Sequence, residues 1–230
     1  MLENNQYSTA AASKEASIIQ TNKVLKNTYM LLGMTLLFSA ISSSVAIATQ
    51  IHVPFLVYLI GLVGLLFGIH KARNSALALP LTFAFTGFIG FCTGPVIGAY
   101  LSLPNGPELV ASAMGTTALV FFGLSGYVLT TKKDFSFLGG FLFAGIMVAF
   151  VTTLIALGMS YFFQYSIPGL HLAISAIMVL LLSGYILYDT SNIINGGETN
   201  YVMATVSLYI NIWFLFMNLL HLFGFMSGDD

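Results

Sequence analysis

Long apolar runs separated by short polar breaks dominate the 230-residue chain. A helix needs roughly 17 to 25 apolar residues to cross a hydrocarbon core about 30 Å thick. Seven runs are this long or longer, so we expect an all-α, polytopic membrane protein with seven transmembrane helices. The predicted helices are Asn27–Thr49, Pro54–His70, Leu77–Leu101, Leu109–Thr130, Phe135–Phe163, Leu170–Ile194 and Tyr201–Phe225. The short breaks contain turn residues, as in Pro104–Pro107 and Asn195–Gly197, which indicates antiparallel neighbouring helices.

The composition supports a membrane protein. Hydrophobic residues make up 57% of the chain and charged residues 7%, against roughly 25% charged residues in a soluble domain. The polar N-terminus lacks the apolar centre of a secretory signal. We therefore predict a flexible cytoplasmic tail over residues 1–22 and one transmembrane domain over residues 23–230.

The basic residues predict the orientation, because cytoplasmic loops of membrane proteins are enriched in Lys and Arg. With seven helices and the N-terminus in the cytoplasm, all of them fall on the cytoplasmic side: Lys14, Lys23, Lys26, Lys71, Arg73, Lys132 and Lys133. The C-terminus, with Asp229 and Asp230, is then periplasmic. Charge alone also permits six helices, and we predict seven because each of the last two runs is long enough to span. The net charge of -1 offers no field for nucleic acid.

Small residues recur at a four-residue period in two predicted helices. Gly90, Gly94 and Gly98 do so in the third helix, and Gly64 and Gly68 do so in the second. Such spacing permits close approach of two helix backbones in a membrane. We interpret both sets as packing positions.

Residues for catalysis or metal binding are few. Cys92 is the only cysteine, so neither an intrachain disulfide nor a cysteine metal site can form. The four histidines lie in different loops and helix ends, without the spacing of a metal site, and there is no pair of membrane aspartates for proteolysis. The sequence predicts a non-enzymatic protein without cofactor or metal.

Asp189 is the only carboxylate inside one of the predicted apolar runs. A charged side chain at the centre of a membrane helix costs about 2.5 to 3.5 kcal/mol on insertion scales, so such a residue usually has a function or a polar partner. Asn211 of the last helix lies at a similar depth, and we predict that these two residues form a pH-sensing or gating site. His70, Lys71 and Arg73 are candidate charge partners of Asp189, or act only as determinants of orientation.

Several motifs resemble the signature of a known membrane family. The segments Leu187–Ile194, Gly196–Tyr201, Ser207–Tyr209 and Asn218–Leu220 resemble the Bax inhibitor-1 family, also called TMBIM or UPF0005. The segments Lys23–Tyr29, Phe83–Phe88, Thr117–Phe122 and Tyr127–Asp134 resemble its bacterial YccA branch. The resemblance covers the chain from about Lys23 onward.

The resemblance implies a fold in which the last of seven helices lies centrally within a bundle of six. It also implies that calcium-leak members of the family use two aspartates, on helices six and seven, that share a proton. The first matches Asp189, whereas the second matches Asn211, and an amide cannot share a titrating proton as a second carboxylate does. Helix two also lacks an acid to match the membrane glutamate of those leak proteins.

The YccA branch implies a different function, as a non-enzymatic modulator and substrate of the membrane-anchored AAA protease FtsH in the bacterial inner membrane. The tail over residues 1–22 would be the segment that the protease grips. The expected partners are the FtsH protease complex and membrane lipid. The alternative is a pH-sensitive calcium or cation leak channel centred on Asp189, with calcium ions as its ligand, and a scaffold without transport is a third hypothesis.

Overall fold

The computed structural model describes the backbone of residues 2–164 and 169–228, and the side chains from residue 19 onward. In these ranges the chain forms seven helices: α1 (Leu2–Thr49), α2 (Phe55–Ala72), α3 (Ala78–Leu101), α4 (Gly106–Thr131), α5 (Leu138–Phe163), α6 (Leu170–Ile194) and α7 (Tyr201–Met226). By length and composition, all seven can cross a membrane. The predicted all-α fold with seven transmembrane helices is confirmed. Asp229 and Asp230 lie outside the described residues.

The loop between α4 and α5 shows why one predicted boundary was displaced. The apolar run predicted a helix from Phe135, whereas α5 begins at Leu138. Asp134 Oδ1 accepts a hydrogen bond from the Ser136 backbone N–H at 2.8 Å, and the Phe135 N–H is donated to Ser191 Oγ at 2.8 Å. The backbone N–H groups of Phe135 and Ser136 are therefore bonded to side chains. A side chain that bonds to nearby backbone N–H groups offers the backbone an alternative to the helix, and α5 begins only after these residues.

Helix α1 is much longer than a membrane crossing requires. It has 48 residues, which at 1.5 Å per residue is about 72 Å, whereas its apolar part spans Ile19–Thr49. Among the described side chains of α1, the first buried one is Val24. The backbone of residues 2–22, expected to be a flexible tail, is thus helical from Leu2, and its mobility stays a prediction.

Helix α7 is the most buried of the seven spans. In its most apolar 18-residue stretch, 56% of the residues are buried, against 6% for α2 and 11% for α5. It packs against α1, α3, α4 and α6, whereas α2 packs on α3 and α5 packs on α6. The apolar side chains that α2 and α5 turn outward are therefore suited to contact lipid, while α7 lies among its neighbours. The enclosure of α7 by a ring of all six other helices stays a prediction.

Helices α1 and α3 approach each other closely at Gly90 and Gly94, and we call this contact the α1–α3 seam. A Cβ atom added to Gly90 would overlap the carbonyl oxygen of Ser39, and one added to Gly94 would lie 2.6 Å from the Cβ of Ala46. Gly64 of α2 has the same sequence spacing, yet nothing lies within 4 Å of its Cβ position. The four-residue period thus marks a backbone contact in α3 but not at Gly64 of α2.

Polar side chains along the same seam are paired with one another. Tyr209 donates its hydroxyl proton to the Thr86 carbonyl at 3.1 Å, so the Ser39 hydroxyl, 2.7 Å away, is the donor to Tyr209. Farther along, the Trp213 indole donates to the Thr93 hydroxyl at 2.9 Å. Hydrocarbon offers no alternative partners for such groups, so these bonds fix α7 against α1 and α3.

We predict that Gly90→Ala destabilises the protein, whereas Gly64→Ala does not. The added methyl group at Gly90 meets backbone atoms of α1, and such overpacking typically costs about 1–3 kcal/mol. Thermal unfolding in detergent can be followed through labelling of Cys92, the only cysteine, with a thiol-reactive dye. Equal unfolding temperatures for the two variants would contradict a close backbone contact between α1 and α3 at Gly90.

Candidate functional site

Asp189 lies on α6, five residues before the helix ends at Ile194, and is buried with 9% of its surface exposed. Its Oδ2 accepts two hydrogen bonds from α7, one from Ser207 Oγ at 2.7 Å and one from Asn211 Nδ2 at 2.7 Å. Ser207 and Asn211 are four residues apart and so share one face of α7. The antiparallel turn between α6 and α7 brings that face opposite Asp189.

The structure therefore brings together Asp189 and Asn211, the two residues expected to form a pH-sensing or gating site. Their role stays a prediction. Asn211 donates to the carboxylate through its amide, and an amide has no acidic proton to exchange with its partner. The arrangement is that of one titratable carboxyl held by two neutral donors.

Ser207 is a member of the site that the sequence analysis named only within the signature segment Ser207–Tyr209 and did not assign to Asp189. Its hydroxyl bonds to the same oxygen as the Asn211 amide. The available signal was its position four residues before Asn211, which places a second polar group on the face that meets Asp189. A lone serine on an apolar helix is otherwise too common to be distinguished.

Thr190, the next residue of α6, is fully buried and faces a different pair of helices. Its hydroxyl lies 3.2 Å from Ser125 Oγ of α4 and 3.5 Å from the Tyr29 hydroxyl of α1. Consecutive residues of an α-helix point about 100° apart. Thr190 thus connects the end of α6 to α4 and α1, while Asp189 connects it to α7.

Ser191 continues the pattern and faces the loop between α4 and α5. Its Oγ accepts the Phe135 N–H at 2.8 Å and an Asn195 Nδ2–H at 3.1 Å, and lies 3.5 Å from Asp134 Oδ1. We call Asp189–Ser191 the polar end of α6. Its three side chains contact α7, the α4 and α1 pair, and the α4–α5 loop.

Asp134 is the acidic residue of that loop. The backbone N–H of Ser136 lowers the pKa of Asp134, and the Ser136 and Ser191 hydroxyls act in the same direction. Hydrogen bonds to a carboxylate favour its charged form. Asp134 is therefore ionised at neutral pH.

His70, Lys71 and Arg73 are not brought to Asp189. Their side chains are exposed at the end of α2 and in the loop that follows. Within the described ranges, no ion pair joins any of the three to Asp189, whose bonds come from α7. The Arg73 carbonyl instead accepts a hydrogen bond from Asn200 Nδ2 at 2.8 Å, at the start of α7. Their role as charge partners stays a prediction.

Metal ligands are not clustered in the part of the chain that the structure describes. No group of three or more His, Cys, Asp or Glu side chains there could hold a metal ion. The thiol of Cys92 is free and half-buried on α3.

Comparison with known proteins identifies the family. The family model described as Inhibitor of apoptosis-promoting Bax1 matches residues 21–228. A protein of Escherichia coli strain K12, named Modulator of FtsH protease YccA, is 48% identical over 96% of this chain and 98% of its own length. A Pseudomonas aeruginosa protein is 50% identical over the full length of both chains, and a Vibrio cholerae membrane protein is 46% identical over 99% of this chain and 100% of its own.

These matches confirm the family expected from the motifs, and the family model covers residues 21–228. They include α6 and α7, and hence the polar end of α6 and the residues of α7 that bind it. The chain, a multi-pass membrane protein, belongs to the Bax inhibitor-1 family and is similar to YccA along nearly its entire length.

Proposed function

We propose that this protein is a modulator and substrate of the membrane-anchored AAA protease FtsH in the bacterial inner membrane. The observation that carries the proposal is the 48% identity to the protein named Modulator of FtsH protease YccA, over 96% of this chain and 98% of that protein. A second Escherichia coli relative, equally similar, is named Inner membrane protein YccA. Because the similarity covers both chains almost completely, nearly all of those relatives has a counterpart here.

The distribution of positive charge supports a cytoplasmic N-terminus. Six basic residues have described side chains, and they lie near the start of the apolar part of α1, at the end of α2 and its following loop, and in the loop after α4. Alternating helix directions place these segments at the same end of the bundle. Lys and Arg favour the cytoplasmic side, so we place this end, with the N-terminus, in the cytoplasm and the C-terminus in the periplasm.

The N-terminal segment is suited to engagement by a protease. Residues 1–22 are mostly polar, and the first buried side chain described in α1 follows them at Val24. The family match begins at residue 21, so nearly all of this segment lies outside the matched region. A segment with few apolar residues has too little apolar surface to form a core of its own, so a protease can grip it without first unfolding one.

We predict that removing residues 2–22 lengthens the lifetime of the protein several-fold in membranes that contain FtsH. The variant keeps Val24 and the packed part of α1, so its thermal stability should be unchanged. Turnover is measured by pulse-chase with a C-terminal tag, and association by co-purification of FtsH from native membranes. Removing residues 228–230 at the other end of the chain is a control for truncation of a terminus and should leave turnover unaltered.

The proposal fails if FtsH does not co-purify with the full-length protein and the truncated variant turns over at the original rate. If the control truncation also lost turnover, the cause would be general damage to the membrane domain and not removal of the segment that the protease grips.

A second candidate function is a pH-sensitive calcium or cation leak centred on Asp189. The observation that favours it is a buried carboxyl on a membrane helix, bonded by the neutral donors Ser207 and Asn211. Ionisable residues inside transmembrane segments commonly mark ion or proton pathways. A single titratable carboxyl would give such a leak a one-site dependence on pH.

We predict for this candidate that Asp189→Asn abolishes the pH dependence of calcium flux, and that Asn211→Asp broadens it into two steps. The second variant would place another carboxyl where an amide nitrogen now lies 2.7 Å from Asp189 Oδ2, and two carboxyls at that distance titrate as a coupled pair. Flux is measured in proteoliposomes with a calcium indicator over a series of pH values. Glu198→Gln, in the adjacent loop, is the control for a change of charge at the same end of the bundle.

If the reconstituted protein carries no calcium, or if Asp189→Asn leaves the pH profile of flux in place, the leak is rejected. If both the leak and the association with FtsH were absent, a scaffold without transport would be the remaining hypothesis.

A further inference from the structure

We propose that a cavity between the α2–α3 loop and the start of α7 binds the phosphate group of an anionic phospholipid. The cavity has a volume of about 370 Å³ and is lined by residues 73–76, 78–79 and 199–202. This volume lies within the range of about 300–1,000 Å³ typical of ligand sites. The proposal depends neither on FtsH nor on a leak.

The lining is rich in hydrogen-bond donors. Arg73, Ser75, Thr199 and Tyr201 contribute side chains with N–H or O–H groups. Within the residues that the structure describes, none of these four side chains donates a hydrogen bond to another group of the protein. An arginine in such a place recognises phosphate well, because its planar guanidinium can donate two parallel hydrogen bonds to two phosphate oxygens.

The charge of the cavity favours an anion. No acidic residue lines it. Glu198, which precedes the lining residues 199–202, is not itself part of the lining, and its Oε1 accepts the Asn200 backbone N–H at 2.7 Å. Lys71 adds a second exposed positive charge at the same end of α2. The unopposed charge within the lining is therefore that of Arg73.

The two walls of the cavity are held together by Asn200. Its Nδ2 donates to the Arg73 carbonyl at 2.8 Å and to Asn74 Oδ1 at 3.1 Å, and its Oδ1 accepts the N–H groups of Val202 and Met203. The same side chain thus caps α7 and fastens the α2–α3 loop. A site whose walls are already bonded to each other loses little entropy when a ligand enters.

The position of the cavity favours a lipid as the source of the phosphate. It lies where α2 ends and where α3 and α7 begin, so it is level with the surface of the membrane that these helices cross. Leu79, on its lining, and Leu77, beside it, are 38% and 65% exposed. A phospholipid can place its phosphate against Arg73 and its acyl chains along these leucines, which a free phosphate ion cannot do.

The test measures binding of dioleoyl phosphatidylglycerol to the full-length protein in detergent by native mass spectrometry. We expect Arg73→Gln to weaken binding of the first lipid molecule roughly tenfold, the effect of losing one charge-assisted hydrogen bond. Lys71→Gln removes the same charge two residues away, outside the cavity, and should have a much smaller effect. Dioleoyl phosphatidylcholine, which carries the same phosphate but has no net charge, should bind more weakly to the unaltered protein.

A second variant fills the cavity without changing its charge. Ala76 lines the cavity and is exposed, so Ala76→Phe places a ring in the space with little effect on folding. We expect it to weaken phosphatidylglycerol binding as Arg73→Gln does, with an unchanged unfolding temperature.

Three results would each overturn the proposal. Equal losses in Arg73→Gln and Lys71→Gln would mean that the lipid responds to surface charge and not to the cavity. Full competition by sodium phosphate would assign the site to a free anion. Unaltered binding in both Arg73→Gln and Ala76→Phe would show that the cavity does not hold the lipid.

Discussion

A polar side chain surrounded by hydrocarbon is stable in a helix only when a neighbouring group forms a hydrogen bond with it. Helix α7 carries a polar side chain at every second position from Thr205 to Trp213. Thr205, Tyr209 and Trp213 are spaced by four residues and bond to α1 and α3. Ser207 and Asn211 lie on the opposite face and bond to α6. Two residues along a helix correspond to a rotation of about 200°, so one alternating pattern fastens α7 on both sides. The burial of α7 and the position of Asp189 both follow from this arrangement.

The sequence was sufficient to predict the number of helices and most of their ends. Apolar length and turn chemistry are local properties, and α6 begins and ends at the predicted residues, Leu170 and Ile194. Helix contacts depend on the partner as well. The spacing of Gly90 and Gly94 resembles that around Gly64, but only the α3 glycines face another backbone closely. Periodicity identifies a surface that permits close approach, and it does not say whether another helix occupies that surface.

The candidate site was predictable only in part, as the helix contacts were. Counting residues from the turn between α6 and α7 places Asp189 and Asn211 at similar depth, and their side chains meet. The contacts of Thr190 and Ser191 were not predictable, because they depend on how α1, α4 and the α4–α5 loop are arranged around α6. Proximity in the predicted topology also suggested Arg73 as a cation for Asp189. The Asn200 side chain bonds instead to the backbone of Arg73 and holds this loop at the start of α7.

The length of α1 has a mechanical consequence. A motor pulling on the chain near Leu2 would apply force along the axis of α1, and α1 forms its most extensive helix contact with α3. At Gly90 and Gly94 the two backbones are too close for a side chain to separate them. Force along the axis would load this seam in shear, so its contacts would have to break together and not one after another. Extraction from the N-terminus would then meet its highest resistance at the first step, before any other helix had moved.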